Sequence, residues 1–358
     1  MKLIDDTNLG RSGNMLQRTL KSGKLLNEDG VLNQAGYATK LVKEYKRSEI
    51  KASRLRIKEW DYYYVGNSHY GVGLTIADNS YMGLIGITLL NFDEKWHKDK
   101  NVMTFMPLGK TNLPSTSKRG DVMFKNKKVD IQFFNDGKLR HLLCQMKNFT
   151  KGKDILVDIM LTEEPEESMV IATPFDKVNK PRHFYYNQKI NCLRASGKIS
   201  YDDKEYVFTT EDSFAVLDWG RGVWPYKNTW YWSSLSGEVD GVKVGFNLGY
   251  GFGDLSNASE NMIFYDGKAH KLEEVTFDIP MKNGKEDFMK TWRIESSDHK
   301  LKLKFEPVVD RHVDANVLVI RSLTHQVFGK FSGTLKVGTK TIKITDMMGF
   351  AEKVINRW

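Results

Sequence analysis

The residues with the most chemical promise lie between Asp212 and Gly237, in the run DSFAVLDWGRGVWPYKNTWYWSSLSG. Four of the chain's eight tryptophans fall here, at Trp219, Trp224, Trp230 and Trp232. From Asn228 to Ser236 a period of two puts Trp230, Trp232 and Ser234 on one face of a strand, and Tyr231, Ser233 and Leu235 on the other. Indole rings with a few converging polar groups are a usual form of site for an apolar small molecule. Asp218 and Arg221 stand beside the rings as a candidate buried ion pair. Gly220 and Gly222 allow the sharp turn of a loop there. In a catalytic reading Asp218 donates a proton, Arg221 is its electrostatic partner, and the rings stabilise positive charge by cation–π attraction. In a plainer reading the same residues are a tryptophan core closed by an Asp–Arg pair. A neutral carboxyl group in a cavity favours a catalyst. A fully ion-paired Asp favours a binding protein, and a filled core leaves a structural or interaction protein.

Other motifs carry less. Gly249-Tyr250-Gly251-Phe252-Gly253 lacks the spacing of a dinucleotide loop and reads as a strand end. The eight histidines show no HxH or HExxH spacing, so no metal site is expected, and no cofactor is implied. His312 and His325 are titratable near neutrality and could act as acid or base. There is no GxSxG elbow for a serine nucleophile. The acidic run Glu163-Glu164-Pro165-Glu166-Glu167 reads as a solvated loop.

These side chains must be positioned by strands. Val129, Ile131 and Phe133 alternate with polar residues, as do Val242, Val244, Phe246 and Leu248, and Leu301, Leu303 and Phe305. Such alternation belongs to antiparallel sheets with one buried face. Asp136-Gly137, Asp240-Gly241, Asp266-Gly267 and Asn283-Gly284 suit type I′ hairpin turns, which need positive φ at both central residues. One short helix is expected within Gln34–Arg47, from the spacing of Tyr37, Leu41, Val42 and Tyr45. The expected fold is all-β, with two lipocalin-like antiparallel barrels or strongly bent sheets and few short helices. Residues 1–33 read as a leader segment, 34–185 as an N-terminal β domain and 186–358 as a C-terminal one. The break is placed in the interrupted stretch 174–190, around Pro174 and Pro181. Glu59-Trp60-Asp61-Tyr62 and Thr229-Trp230-Tyr231-Trp232, 230 − 60 = 170 residues apart, hint at duplication.

Composition narrows the classes. The chain has 358 residues, 40% hydrophobic and 28% charged, which excludes fibrous and mostly disordered proteins. Two cysteines exclude a disulfide scaffold. No apolar run is long enough for a membrane span, and Met1–Gln17 lacks a secretory core, so a cytoplasmic location with buried, reduced cysteines is expected. The net charge of +9 is spread along the chain and mixed with acids, without a nucleic-acid-binding signature, so no nucleic-acid partner is expected.

The chain resembles a bacterial family known as domain of unknown function 2804. The resemblance is carried by Lys58-Glu59-Trp60-Asp61-Tyr62-Tyr63, Asp218-Trp219-Gly220-Arg221-Gly222, Trp224-Pro225-Tyr226 and Trp230-Tyr231-Trp232. It continues through Glu260-Asn261, Phe305-Glu306-Pro307, Arg311, Gln326-Val327-Phe328-Gly329 and Gly349-Phe350-Ala351-Glu352. That family implies no activity. More distantly, the tail Phe328–Glu352 is similar to the closing strands of the double-lipocalin group. That group includes hydroxyneurosporene synthase, tocopherol cyclase and lipocalin-like Diels–Alderases. The second resemblance implies two barrels with a hydrophobic ligand in or between them. The expected partner is therefore a hydrophobic small molecule, lipid or isoprenoid-like. Trp219, Trp224, Tyr226, Trp230, Trp232 and Arg311 are its expected contacts, and Asp218 and Arg221 are the catalytic candidates. The reaction in that case is hydration, cyclisation or isomerisation.

Overall fold

The computed structural model describes residues 15–317 and 320–357. Its elements are almost all strands, joined mostly as antiparallel neighbours into two large sheets, one of 13 strands and one of 9. The first opens with a meander of Ile57–Gly66, Tyr70–Asp78, Met82–Asn91 and Trp96–Phe105. It continues through Phe214–Val223, Lys180–Tyr201, Lys153–Thr162 and Arg140–Thr150. The second opens with a meander of Lys227–Val239, Val242–Tyr250, Met262–Tyr265 and Lys268–Lys271, and continues through Lys340–Arg357, Ile320–Val337 and Leu301–Val317.

The two plans match. In each sheet the first meander strand pairs with the last strand of that sheet: Ile57–Gly66 with Phe214–Val223, and Lys227–Val239 with Lys340–Arg357. The register matches too. Tyr62 lies opposite Asp218, and Trp232, 170 residues on, lies opposite Glu352. The aromatic echo in the sequence therefore marks corresponding strands of two similarly wound sheets.

Alternation decides what each strand face meets. Leu217, Trp219 and Val223 point into the apolar core of the first sheet. Tyr231, Leu235, Phe331 and Ala351 point into the core of the second. The intervening residues, Tyr62, Tyr64, Val216, Trp232, Phe328 and Phe350, form a third apolar layer where the sheets press together. Polar groups cross this layer. Asn191 Nδ2 donates to Ser234 Oγ at 2.8 Å and to the Phe246 carbonyl at 3.2 Å. Arg311 Nε donates to Asp99 at 2.6 Å, and Arg194 pairs with Glu238.

Several details differ from the sequence reading. The expected helix in Gln34–Arg47 is absent. That stretch holds the short strands Gly36–Ala38 and Lys43–Glu44, with a single 3-10 turn at Arg47–Glu49. Its buried residues, Ala38, Leu41 and Tyr45, join the first core by pairing and draping rather than as a helical stripe. Residues 15–33 are packed too, with Leu20, Leu25 and Leu26 buried; the rest of the expected leader lies outside the described residues. The sheets change over at Trp224–Tyr226, not at residue 185, which lies inside the Lys180–Tyr201 strand. The acidic run is an exposed loop, as expected, but its carboxylates are paired. Glu163 binds Lys243, Glu164 binds Arg140 and Glu166 binds Lys40 and Lys268. Of the four Asx-Gly pairs, 240–241, 266–267 and 283–284 carry positive φ at both residues, whereas at 136–137 only the glycine does.

The turn at Val178, which is 86% exposed, is the natural point of proteolytic attack. The strands it joins, Met169–Asp176 and Lys180–Tyr201, pair with each other, and the sheets share a buried layer. A chain nicked there is expected to give two bands on a denaturing gel and one peak in gel filtration. Two separately folded pieces would contradict the shared layer.

Candidate functional site

Asp218 and Arg221 do not pair. Three residues apart on one continuous strand, Phe214–Val223, they face opposite sides. Gly220 and Gly222 are mid-strand, not in a loop. A Cβ at Gly220 would run into the indole of Trp60, so the glycine makes room for a ring rather than for a turn. Arg221 points into the first sheet, fully buried. Its guanidinium lies 4.3 Å from the Trp219 ring and donates to Asp61 at 2.9 Å and to the carbonyls of Trp60, Gly220 and Pro114, each at 2.8 Å. Burial raises the Asp61 carboxyl above its ordinary range, and Arg221 works against that rise. This is a structural network, and Trp219 belongs to it.

Asp218 faces the other way, into the layer between the sheets. Its partner is Lys189, directly opposite it in register, at 2.8 Å. Asn187 Nδ2 also donates to it at 2.6 Å. The Lys189 ammonium sits 4.1 Å from the centroid of the Trp232 ring, so the second sheet contributes to its surroundings.

Around this pair lie the other groups of the site. Trp60, Tyr185, Trp224, Trp230 and Phe252 pack mostly edge to face, with centroids 4.7–6.1 Å apart. Tyr62 meets Trp232 at 6.2 Å across the sheets. Trp60, Tyr62 and Trp230 are only half-buried, so solvent-accessible surface remains on the cluster at these rings. Trp230 Nε1 donates to Glu352 at 2.8 Å, and Trp232 Nε1 donates to Asn247 at 2.7 Å. Asn247 Nδ2 in turn donates to the Glu260 carboxylate at 3.1 Å. A side chain at Gly249 would collide with that carboxyl, so the glycine admits Glu260 to the layer. Gln326 donates to the Tyr62 hydroxyl at 3.4 Å and accepts from Arg311 at 3.3 Å.

Three carboxyl groups thus share one interior with Lys189. Glu352 and Glu260 form no salt bridge with it. Burial pushes Glu352 up to about 7, with the Trp230 hydrogen bond and the charge of Lys189 only partly opposing. Burial likewise raises Glu260 above the usual carboxylate range. The arrangement can hold a proton on a carboxyl group at neutral pH beside aromatic rings, which is the requirement for a buried general acid.

Of the expected ligand contacts, the structure brings Trp224, Trp230, Trp232 and Arg311 to this layer. Trp219 is in the first core, and Tyr226 is at the surface with the Arg56 guanidinium 5.9 Å from its ring. Lys189, Glu260 and Glu352 are not among the site residues expected from the sequence. Glu352 carried a signal: it occupies the same strand face as Phe350 and Val354, where a charged residue is out of phase with the pattern. Lys189 and Glu260 are brought in only by pairing with distant segments.

Two wound antiparallel sheets with a polar, aromatic layer between them define a double-lipocalin-like architecture. The chain belongs to the family described as Domain of unknown function (DUF2804), whose model matches residues 17–358. In fold it is similar to the AttH protein of Nitrosomonas europaea, at 12% identity and a TM-score of 0.53, over 87% of this chain and 96% of that one. Kievitone hydratase from Nectria haematococca aligns at 11% identity and a TM-score of 0.44, over 97% of this chain and 98% of that one. CghA aligns at 10% and 0.45, over 94% and 97%. At such identities the likeness is one of fold. No curated protein matches the chain in sequence.

Proposed function

We propose that the chain is an acid–base catalyst acting on an apolar small molecule at the layer between its sheets, with Glu352 as the proton donor. The observation that supports this is the state of Glu352. It is 6% exposed, is hydrogen-bonded to an indole N–H, and is pushed up to about 7. Asp218, the donor expected from sequence, is held by Lys189 and Asn187 and serves instead to fix the lysine. Trp230, with the half-buried rings of Trp60 and Tyr62, supplies apolar surface for the ligand and ring faces for positive charge that develops as the proton is delivered, and Trp224 and Trp232 are buried behind them. Hydration, cyclisation and isomerisation of an unsaturated molecule all begin with such a transfer to carbon. Plain binding is the second reading, favoured by the complete ion pairing of Asp218.

Protein in D2O, incubated with a panel of isoprenoid alkenes, separates the two. Catalysis predicts deuterium on carbon in the recovered molecule, detected by mass spectrometry, and a loss of 100-fold or more in its rate in Glu352→Gln, in the usual range for removing a general acid. Quenching of tryptophan emission by the panel without deuterium uptake would leave a binding protein.

A further inference from the structure

One carboxyl group of the proposed site has a free face. Glu260 is 7% exposed. Its Oε2 is held by Asn247, while Oε1 has no hydrogen-bond partner among the described residues. The Tyr185 hydroxyl is in the same condition. The residue is 5% exposed, its ring is stacked on Trp60, and its nearest charges are Glu260, Asp218 and Glu352, yet no described residue bonds its oxygen.

The cations nearby are engaged. Lys189 is the strongest favourable charge on Glu260 but is in contact with Asp218, and Arg311 is on Asp99 and Gln326. Lys271 bears on Glu260 electrostatically, but its ammonium is bonded to Ser259 Oγ at 2.7 Å and to the carbonyls of Asn261 and Leu272. Burial also lowers Lys271 to about 7, so it supplies only part of a charge at neutrality. Buried carboxyl groups without a counter-ion are costly when ionised, and a cation brought by a ligand removes that cost. The rings contribute in the same sense, because aromatic faces attract cations and offer nothing to anions. Lys189 over Trp232 is an internal instance of the same recognition.

We infer that the site selects a cationic apolar molecule, an amine or ammonium group on a hydrocarbon skeleton, with Glu260 and the Tyr185 hydroxyl facing the cationic group, and that it rejects anionic amphiphiles. This rests on the proposed site and divides the labour within it: Glu260 meets the ligand's charge, and Glu352, held by Trp230, keeps the proton. It runs against the chain as a whole, whose net charge of +9 draws anions to the surface.

The test is a charge series on one skeleton: dodecylammonium, dodecanol and dodecanoate, each below its micellar concentration, followed by tryptophan emission at pH 7 and physiological salt. The expected order of affinity is ammonium, then alcohol, then carboxylate, with at least tenfold between first and last. In Glu260→Gln the advantage of the ammonium over the alcohol falls to about nothing. Equal affinities for all three in wild type leave the site standing and overturn the charge selection, as does a preference for the carboxylate. No response to any probe removes the site and this inference together.

Discussion

Replacing Arg221 with alanine is expected to cost on the order of 3–5 kcal/mol of folding stability, the range for breaking a buried ion pair by removing one partner. The guanidinium is fully buried and makes four hydrogen bonds, three of them to backbone carbonyls. Without it Asp61 is left in a core that already raises its carboxyl group above the ordinary range. The loss is therefore larger above neutrality, where Asp61 must either ionise unpaired or hold a proton against solvent. Lysine is a poor substitute, because an ammonium cannot reproduce the planar fork that reaches Asp61 and Pro114 together. Urea unfolding followed by circular dichroism measures the effect. A change below about 1 kcal/mol in Arg221→Ala would mean that the network is not cooperative.

How much of this was legible in the sequence depends on distance along the chain. Strand alternation is local, and it assigned Trp230 and Trp232 to one face and Tyr231 and Leu235 to the other, as the structure has them. The same rule, applied to Asp218 and Arg221, separates them. Gly220 and Gly222, read locally, point instead to a turn. Gly220 answers to a neighbour 160 residues earlier in the chain, the Trp60 ring that fills the space of its missing side chain, and Gly222 to the Phe184 carbonyl of the paired strand. The helix expected near Tyr37 failed for a related reason. The segment is held by Val170 and Ile171 of a distant strand, which local periodicity cannot see. The site itself combines Lys189, Glu260 and Glu352 from three segments, so its charge balance exists only once both sheets are in place.

That balance has a measurable cost to the fold. Unfolded, the Glu352 carboxyl titrates near 4.5; folded, burial raises it to about 7. Between those values the folded chain holds a proton that the unfolded chain has released. Raising the pH through this window therefore withdraws stability, in full below 4.5 and gone above 7, by about 3 kcal/mol at 1.36 kcal/mol for each pH unit between them. Glu352→Gln keeps an acceptor for the Trp230 N–H and has nothing to ionise. It is expected to match wild type near pH 4 and to exceed it by about 3 kcal/mol at pH 8. Chemical unfolding of both proteins at the two pH values gives the comparison, in which every other titrating group cancels. If the variant tracks wild type at both, the carboxyl is not protonated in the folded chain and cannot be the acid. If it gains stability at high pH while deuterium transfer disappears, the residue is being retained against the interest of the fold. A group that destabilises its own interior near neutral pH, in a layer that Gln would fill equally well, is best explained by what its proton does.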